Sequence, residues 1–211
     1  MNNKETLQSY NTMLNENNVN LDEVLNMVNT LPDPVISKYA PRMISFYKYS
    51  GTDISDKLSK IDGSNCISMK NAFCHVYNIP TISLGDLNTS KVTNMDYMFY
   101  QAACTEVDMS NCYTPNLTSA ISMFSYNTNL QTVNIKNFDF SKMEKMQYMF
   151  MGCTALREID MSGIDFSVIP SGVAKTDMFK NISSSCRIKV KDETAKQWLR
   201  NAGFNGSLTT T

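Results

Sequence analysis

Net charge of one sign, long apolar runs and histidine are all scarce or missing in this 211-residue chain. Nineteen basic and twenty acidic side chains leave a net charge of −1, so there is no electrostatic footprint for nucleic acid or an anionic membrane. No run of about 18 apolar residues occurs, which excludes a transmembrane helix and membrane insertion through one. The single histidine, His75, sits beside Cys74 with no second cluster, so neither a zinc site nor a Ser/His or Cys/His triad is expected. P-loop, GxGxxG and nucleophile-elbow signatures are absent. Six cysteines contain no CxxC pair, and Cys66, Cys112 and Cys153 fall where sister segments carry apolar or small residues. They read as buried free thiols, in keeping with synthesis in a reducing cytoplasm. The opening Met-Asn-Asn-Lys-Glu-Thr lacks the apolar core of a secretory leader, and no wall anchor or lipidation pattern is expected at the other end. No cofactor, metal or enzymatic activity is expected.

What is present is a period. Met-Phe recurs at Phe99, Phe124, Phe150 and Phe179, with Ala72-Phe73 as a weaker first copy, at steps of 26, 25, 26 and 29 residues. A fixed period in this range marks a solenoid, whose units bury their apolar faces only against neighbours. Seven and four residues before the first four phenylalanines stand Cys66 and Met69, Val92 and Met95, Leu117 and Ala120, Met143 and Met146. Positions −7, −4, −1 and 0 share one side of a helical turn, so a short helical segment is expected there, with the methionines as core filler. Further upstream Ile61, Leu87, Cys112 and Phe138 repeat at −12, while Ile164 lies fifteen before Phe179. The last turn therefore carries a three-residue insertion around Val168–Gly172.

Downstream, apolar pairs alternate with polar residues at Ile82/Leu84, Val107/Met109, Val133/Ile135, Ile159/Met161 and Ile188/Val190. Such alternation is a short strand buried on one side. Each turn reads as strand, bend, short helical segment, bend. Stacked strands form a parallel sheet with rungs roughly 4.8 Å apart.

The unit resembles the BspA-like leucine-rich repeats of the DUF285 type, found in mycoplasma, Firmicute and phage surface proteins. The resemblance rests on Lys91-Val-Thr-Asn-Met-Asp-Tyr-Met-Phe99, Lys142-Met-Glu-Lys-Met-Gln-Tyr-Met-Phe150, Gly152-Cys-Thr-Ala-Leu-Arg-Glu-Ile-Asp-Met-Ser162 and Asn137-Phe-Asp-Phe-Ser141. It implies an α/β leucine-rich-repeat solenoid of about five turns over residues 61–191 and carries no catalytic residues. The third turn departs from the pattern, lacking Val-Thr-Asn-Met at Asn116–Ser122 and holding Cys112 where Phe138 stands later.

The two ends differ from the repeats. Leu7, Leu14, Leu21 and Val28 stand seven apart, with Tyr10, Val24 and Leu31 in matching register. This heptad seam over residues 1–33 is either a coiled coil that oligomerises or attaches the protein, or an amphipathic helix capping the solenoid. Polar Asn17 and the asparagine-rich stretch around it interrupt the seam, and Pro32 and Pro34 end it. Residues 34–60, with Tyr39–Tyr49 as strand material, cover the first turn as an N-terminal cap. At the far end, residues 192–211 form a capping helix and tail: Asp192 is the expected N-cap of a helix through Ala202, with Gly203 beyond it and Trp198 and Leu199 closing the core.

Side chains flanking the inward strand pairs point outward in two columns. One holds Thr81, Glu106, Thr132, Glu158 and Arg187, the other Ser83, Asp108, Asn134, Asp160 and Lys189. This ladder is either the solvated side of a sheet or a surface for a protein or glycan. The N-terminal pattern is similar to the leader of Firmicute phage structural proteins that carry such repeats. The resemblance implies a phage virion component, made in the bacterial cytoplasm, homo-oligomeric, joined to other virion proteins through residues 1–33 and displaying the solenoid to a host-surface protein or glycan. An intracellular interaction scaffold and a bacterial surface adhesin are the alternatives.

Overall fold

The computed structural model describes residue 63, residues 66–77 and residues 79–211. The heptad positions Leu7, Tyr10, Leu14, Leu21, Val24, Val28 and Leu31, the cap over residues 34–60 and Ile61 lie outside the described residues.

Six short strands stack in chain order into one parallel sheet: β1 (Thr81–Ser83), β2 (Glu106–Asp108), β3 (Thr132–Asn134), β4 (Glu158–Met161), β5 (Arg187–Val190) and β6 (Ser207–Thr210). The register is that of the repeat, with Ile82, Val107, Val133, Ile159 and Ile188 facing one another rung by rung. All five side chains are buried, as are Leu84, Met109, Ile135, Met161 and Val190 two residues on. The result is a parallel β-solenoid of about four turns, rather than five. Five phenylalanine rungs bound only four complete circuits.

The segments around Met-Phe are not helical, which corrects the α/β expectation. They form a second parallel ladder, bridged at Ser68, Asn94, Ser119, Lys145 and Ala174. Backbone N–H groups there alternate in direction. Those of Met69, Asn71, Phe73 and His75 donate across to Asn94, Asp96, Met98 and Tyr100 of the next rung, while those of Ala72, Cys74 and Val76 donate three residues back. The same alternation recurs at Met95–Ala102 and Met146–Cys153. It requires a left-handed residue two before and two after each phenylalanine: Asn71 and His75, Tyr97 and Gln101, Ser122 and Tyr126, Tyr148 and Gly152, Asp177 and Asn181. A left-handed non-glycine residue costs about 1–2 kcal/mol. Four inter-rung hydrogen bonds per step, each contributing about 1 kcal/mol net, offset that cost only because the rungs stack. The apolar spacing that suggested a helical face is equally the inward face of this turned ladder.

Down the centre run the phenylalanines. Phe73, Phe99, Phe124, Phe150 and Phe179 stack with centroids 5.1, 5.3, 5.1 and 5.7 Å apart and planes within 7°. Phe204 closes the column edge-on, 5.2 Å from Phe179. Met95, Met98, Met146 and Met149 are fully buried beside it. The C-terminal helix α1 spans Glu193–Asn201, the single α-helix among the described residues. Asp192 caps it as expected, its carboxylate accepting from the Ala195 N–H at 2.9 Å. Gly203 follows with φ of +90°, a conformation suited to a residue without Cβ. Leu199 is fully buried, and Trp198 lies across Phe166 at 5.4 Å. Beyond the helix the expected tail instead adds β6, parallel to β5. The insertion in the last turn forms a short 3-10 helix over Phe166–Val168, capped by Asp165.

Candidate recognition surfaces

The ladder of outward side chains is built by the pleat. In each strand the central residue is buried and its neighbours are exposed or half-buried. Pairing brings Thr81, Glu106, Thr132, Glu158 and Arg187 into one column, and Ser83, Asp108, Asn134, Asp160 and Lys189 into the next. Ser207 and Thr209 of β6 extend the columns by one rung.

The two columns differ in freedom. In the second, Asp108 Oδ1 accepts from the Ser110 N–H at 2.9 Å, Asn134 Oδ1 from Lys136 N–H at 3.3 Å and Asp160 Oδ1 from Ser162 N–H at 2.9 Å. Ser83 Oγ accepts more weakly from the Gly85 N–H at 3.4 Å. These contacts bend the chain away from the strand end, as short polar side chains do in Asx turns. Each carboxylate keeps its other oxygen, so the column both shapes the turn and presents acceptors.

Charge along the face is graded. Acidic Glu106, Asp108, Glu158 and Asp160 give way to Arg187 and Lys189. Lys189 donates to Glu158 Oε1 at 2.7 Å and Arg187 approaches Oε2 at 3.7 Å. The hydrogen bond to Glu158, and then its charge, hold the Lys189 ammonium above its ordinary value. Asp108 and Asp160 are separated by neutral Asn134 in register, which spaces like charges by about 9–10 Å.

A second surface was not anticipated from sequence. On the turned ladder His75, Tyr100 and Tyr126 step along the stack with edge-to-face contacts of 5.7 and 5.9 Å, and Tyr97 joins Tyr100 at 5.7 Å. Tyr126 lies over Gly152, where a Cβ would come within 2.8 Å of its ring. The available signal was a ring one or two residues after the phenylalanine in three turns, His75, Tyr100 and Tyr126.

The thiols are chemically quiet. All six cysteines are free, five of them buried, and burial pushes Cys104, Cys112, Cys153 and Cys186 up to about 12. Cys74, half-buried, is also raised by burial. No group of three or more His, Cys, Asp or Glu side chains suited to a metal ion occurs among the described residues. Nor is any described helix long and apolar enough to cross a membrane.

Comparison with protein families places residues 43–189 in the group described as Mycoplasma protein of unknown function, DUF285. The chain belongs to the DUF285 family. The match covers more than half of it and all four complete turns between Phe73 and Phe179. Comparisons with curated proteins and with solved structures find no match. For this DUF285 chain, functional argument therefore rests on its own surfaces.

Proposed function

We propose that this chain is a non-enzymatic structural component of a phage virion. Residues 1–33 join it, as a homo-oligomer, to other virion proteins in a tail, baseplate, fibre or capsid decoration. The solenoid is displayed for binding to the host surface. The observation that carries the recognition half of this reading is the strand face. Ten polar side chains stand in two straight columns on a stacked core, at a rung spacing of about 4.8 Å, with unused acceptors on Asp108 and Asp160. A rigid, regularly spaced polar surface suits an extended protein or glycan partner, the usual use of solenoid faces. The virion half is supported by the similarity of the N-terminal pattern to phage structural proteins.

The test is the composition of purified particles. The protein is expected in virions from an induced host, and a chain lacking residues 1–33 is expected to fold but to be left out of them. Absence from particles would sink the virion reading and favour an intracellular scaffold. Triple substitution of Asp108, Asn134 and Asp160 by alanine is expected to weaken adsorption to cells. Undiminished adsorption would reduce the ladder to a solvated face.

A further inference from the structure

On the bend side of the solenoid, away from the strand face, a cleft of about 550 Å³ opens across three successive turns. This is within the 300–1,000 Å³ range of small-molecule sites. One wall is Tyr113, 58% exposed; the other is Val168, 47% exposed, at the end of the 3-10 helix that the insertion adds. Buried Phe138 and Phe140 form the floor. Between the walls lie Asn111, Asn137, Asp139 and Asp165.

These polar groups are partly engaged along the stack and in turns. Asn111 Nδ2 donates to Asp86 and Asn137 Nδ2 to the Ser110 carbonyl, both along the stack. Asp139 Oδ1 accepts from the Ser141 N–H, and Asp165 Oδ1 accepts from Ser167. What remains is an oxygen on each of the four as acceptor, the second N–H of each amide, and the hydroxyls of Ser141 and Tyr113. No lysine or arginine lines the cleft. With two carboxylates and no cation in the lining, anionic ligands are unfavoured, and the complement is a neutral molecule that both donates and accepts, with an apolar face to lie on the tyrosine. The acceptors are spread over three rungs, about 10 Å from first to last. That spread matches hydroxyl groups distributed over linked sugar rings better than the point charge of a single ammonium.

We propose that this cleft binds a neutral oligosaccharide. Tyr113 supplies the stacking platform, Asn111, Asn137, Asp139 and Asp165 accept from hydroxyls, and Val168 closes the far side. The inference shares glycan recognition with the proposed function but places it at a different site, and it stands whether or not the chain enters a particle.

The test uses the full chain on an array of neutral, phosphorylated and sialylated oligosaccharides, followed by titration calorimetry with the best neutral binder. Neutral glycans are expected to bind. Tyr113→Ala is expected to weaken binding by about tenfold or more, the scale of losing one stacked ring. Val168→Arg, which puts a bulky cation into the cleft, is expected to weaken it further. Both sites are exposed, so unchanged melting temperatures serve as the folding control. The proposal is overturned if no neutral glycan binds, if only anionic glycans bind, or if Tyr113→Ala binds like the parent. Neutral-glycan binding lost on replacing Asp108, Asn134 and Asp160 but kept in Tyr113→Ala would overturn the cleft while leaving strand-face recognition standing.

Discussion

Phe150 lies flat on Phe124, with ring centroids 5.1 Å apart and planes 5° from parallel. The two residues are 26 apart in sequence and occupy the same point of successive turns. Since each inner ring touches the one above and the one below, the central column couples successive turns through residues about 25 positions apart. Truncating Phe124, which is fully buried, removes two ring contacts and leaves a cavity between rungs. Phe124→Ala is expected to cost about 3–5 kcal/mol, measured by urea unfolding. A loss below about 0.5 kcal/mol, the range of an ordinary surface change, would contradict a continuous core.

The left-handed positions make a prediction of opposite sign. Gln101 is exposed with φ of 52° and no hydrogen bond from its side chain among the described residues. Gln101→Gly is expected to stabilise the protein by up to about 1 kcal/mol, because relief of the Cβ clash outweighs the added freedom of the unfolded chain. Gly152→Ala, at φ of +75° and against the Tyr126 ring, is expected to destabilise by a similar or larger amount. Thermal melts of the pair read both signs, and a destabilised Gln101→Gly would refute the conformational account.

Thiol labelling near pH 8, close to the ordinary cysteine pKa, is expected to modify Cys74 first in the native protein. Cys104, Cys112, Cys153 and Cys186, pushed up to about 12 by burial, are expected to stay protected. All six cysteines are expected to label in denaturant. Rapid native labelling of Cys112 or Cys153, located by peptide mapping, would contradict the packed interior.

Lys189 sets a pH dependence. Its ammonium is stabilised in the folded state by Glu158, so its pKa is raised relative to the unfolded chain. The contribution is complete below the unfolded value near 10.4 and is lost as pH rises through the folded value. The pair is solvent-exposed, so the increment is small and weakened by salt. The melting-temperature gap between the parent and Lys189→Met is expected to shrink between about pH 8 and about pH 11. A gap that stays constant or widens would refute the linkage.

Much of this was legible in the chain, and the failures are specific. Alternation at Val133/Ile135 and Ile159/Met161 identified strands, register and both outward columns, because a strand has only two faces. The helical reading of Met143, Met146, Met149 and Phe150 failed because their spacing suits one face of a helix and one face of the turned ladder alike. The residues that distinguish the two, Asn71, His75, Tyr97, Gln101, Ser122, Tyr126, Tyr148, Asp177 and Asn181, share a conformation but no common chemistry. Strand β6 was missed because Ser207-Leu-Thr-Thr210 carries a single apolar residue; the open edge of β5 recruits it. The turn-forming role of Asp108 and Asp160 had a signal in the repeated Asp-Met-Ser of residues 108–110 and 160–162.

By itself the sequence determined the length of the rung and which side chains face inward, since a repeating apolar pattern can be buried only by stacking copies in register. Only the tertiary structure decided the backbone path through each Met-Phe segment. A left-handed residue is unfavourable alone and becomes stable when its neighbours' N–H groups meet the carbonyls of the next turn. The bend cleft was decided at the same level: Tyr113 and Val168 are 55 residues apart in the chain, and stacking brings them to opposite walls of one cavity.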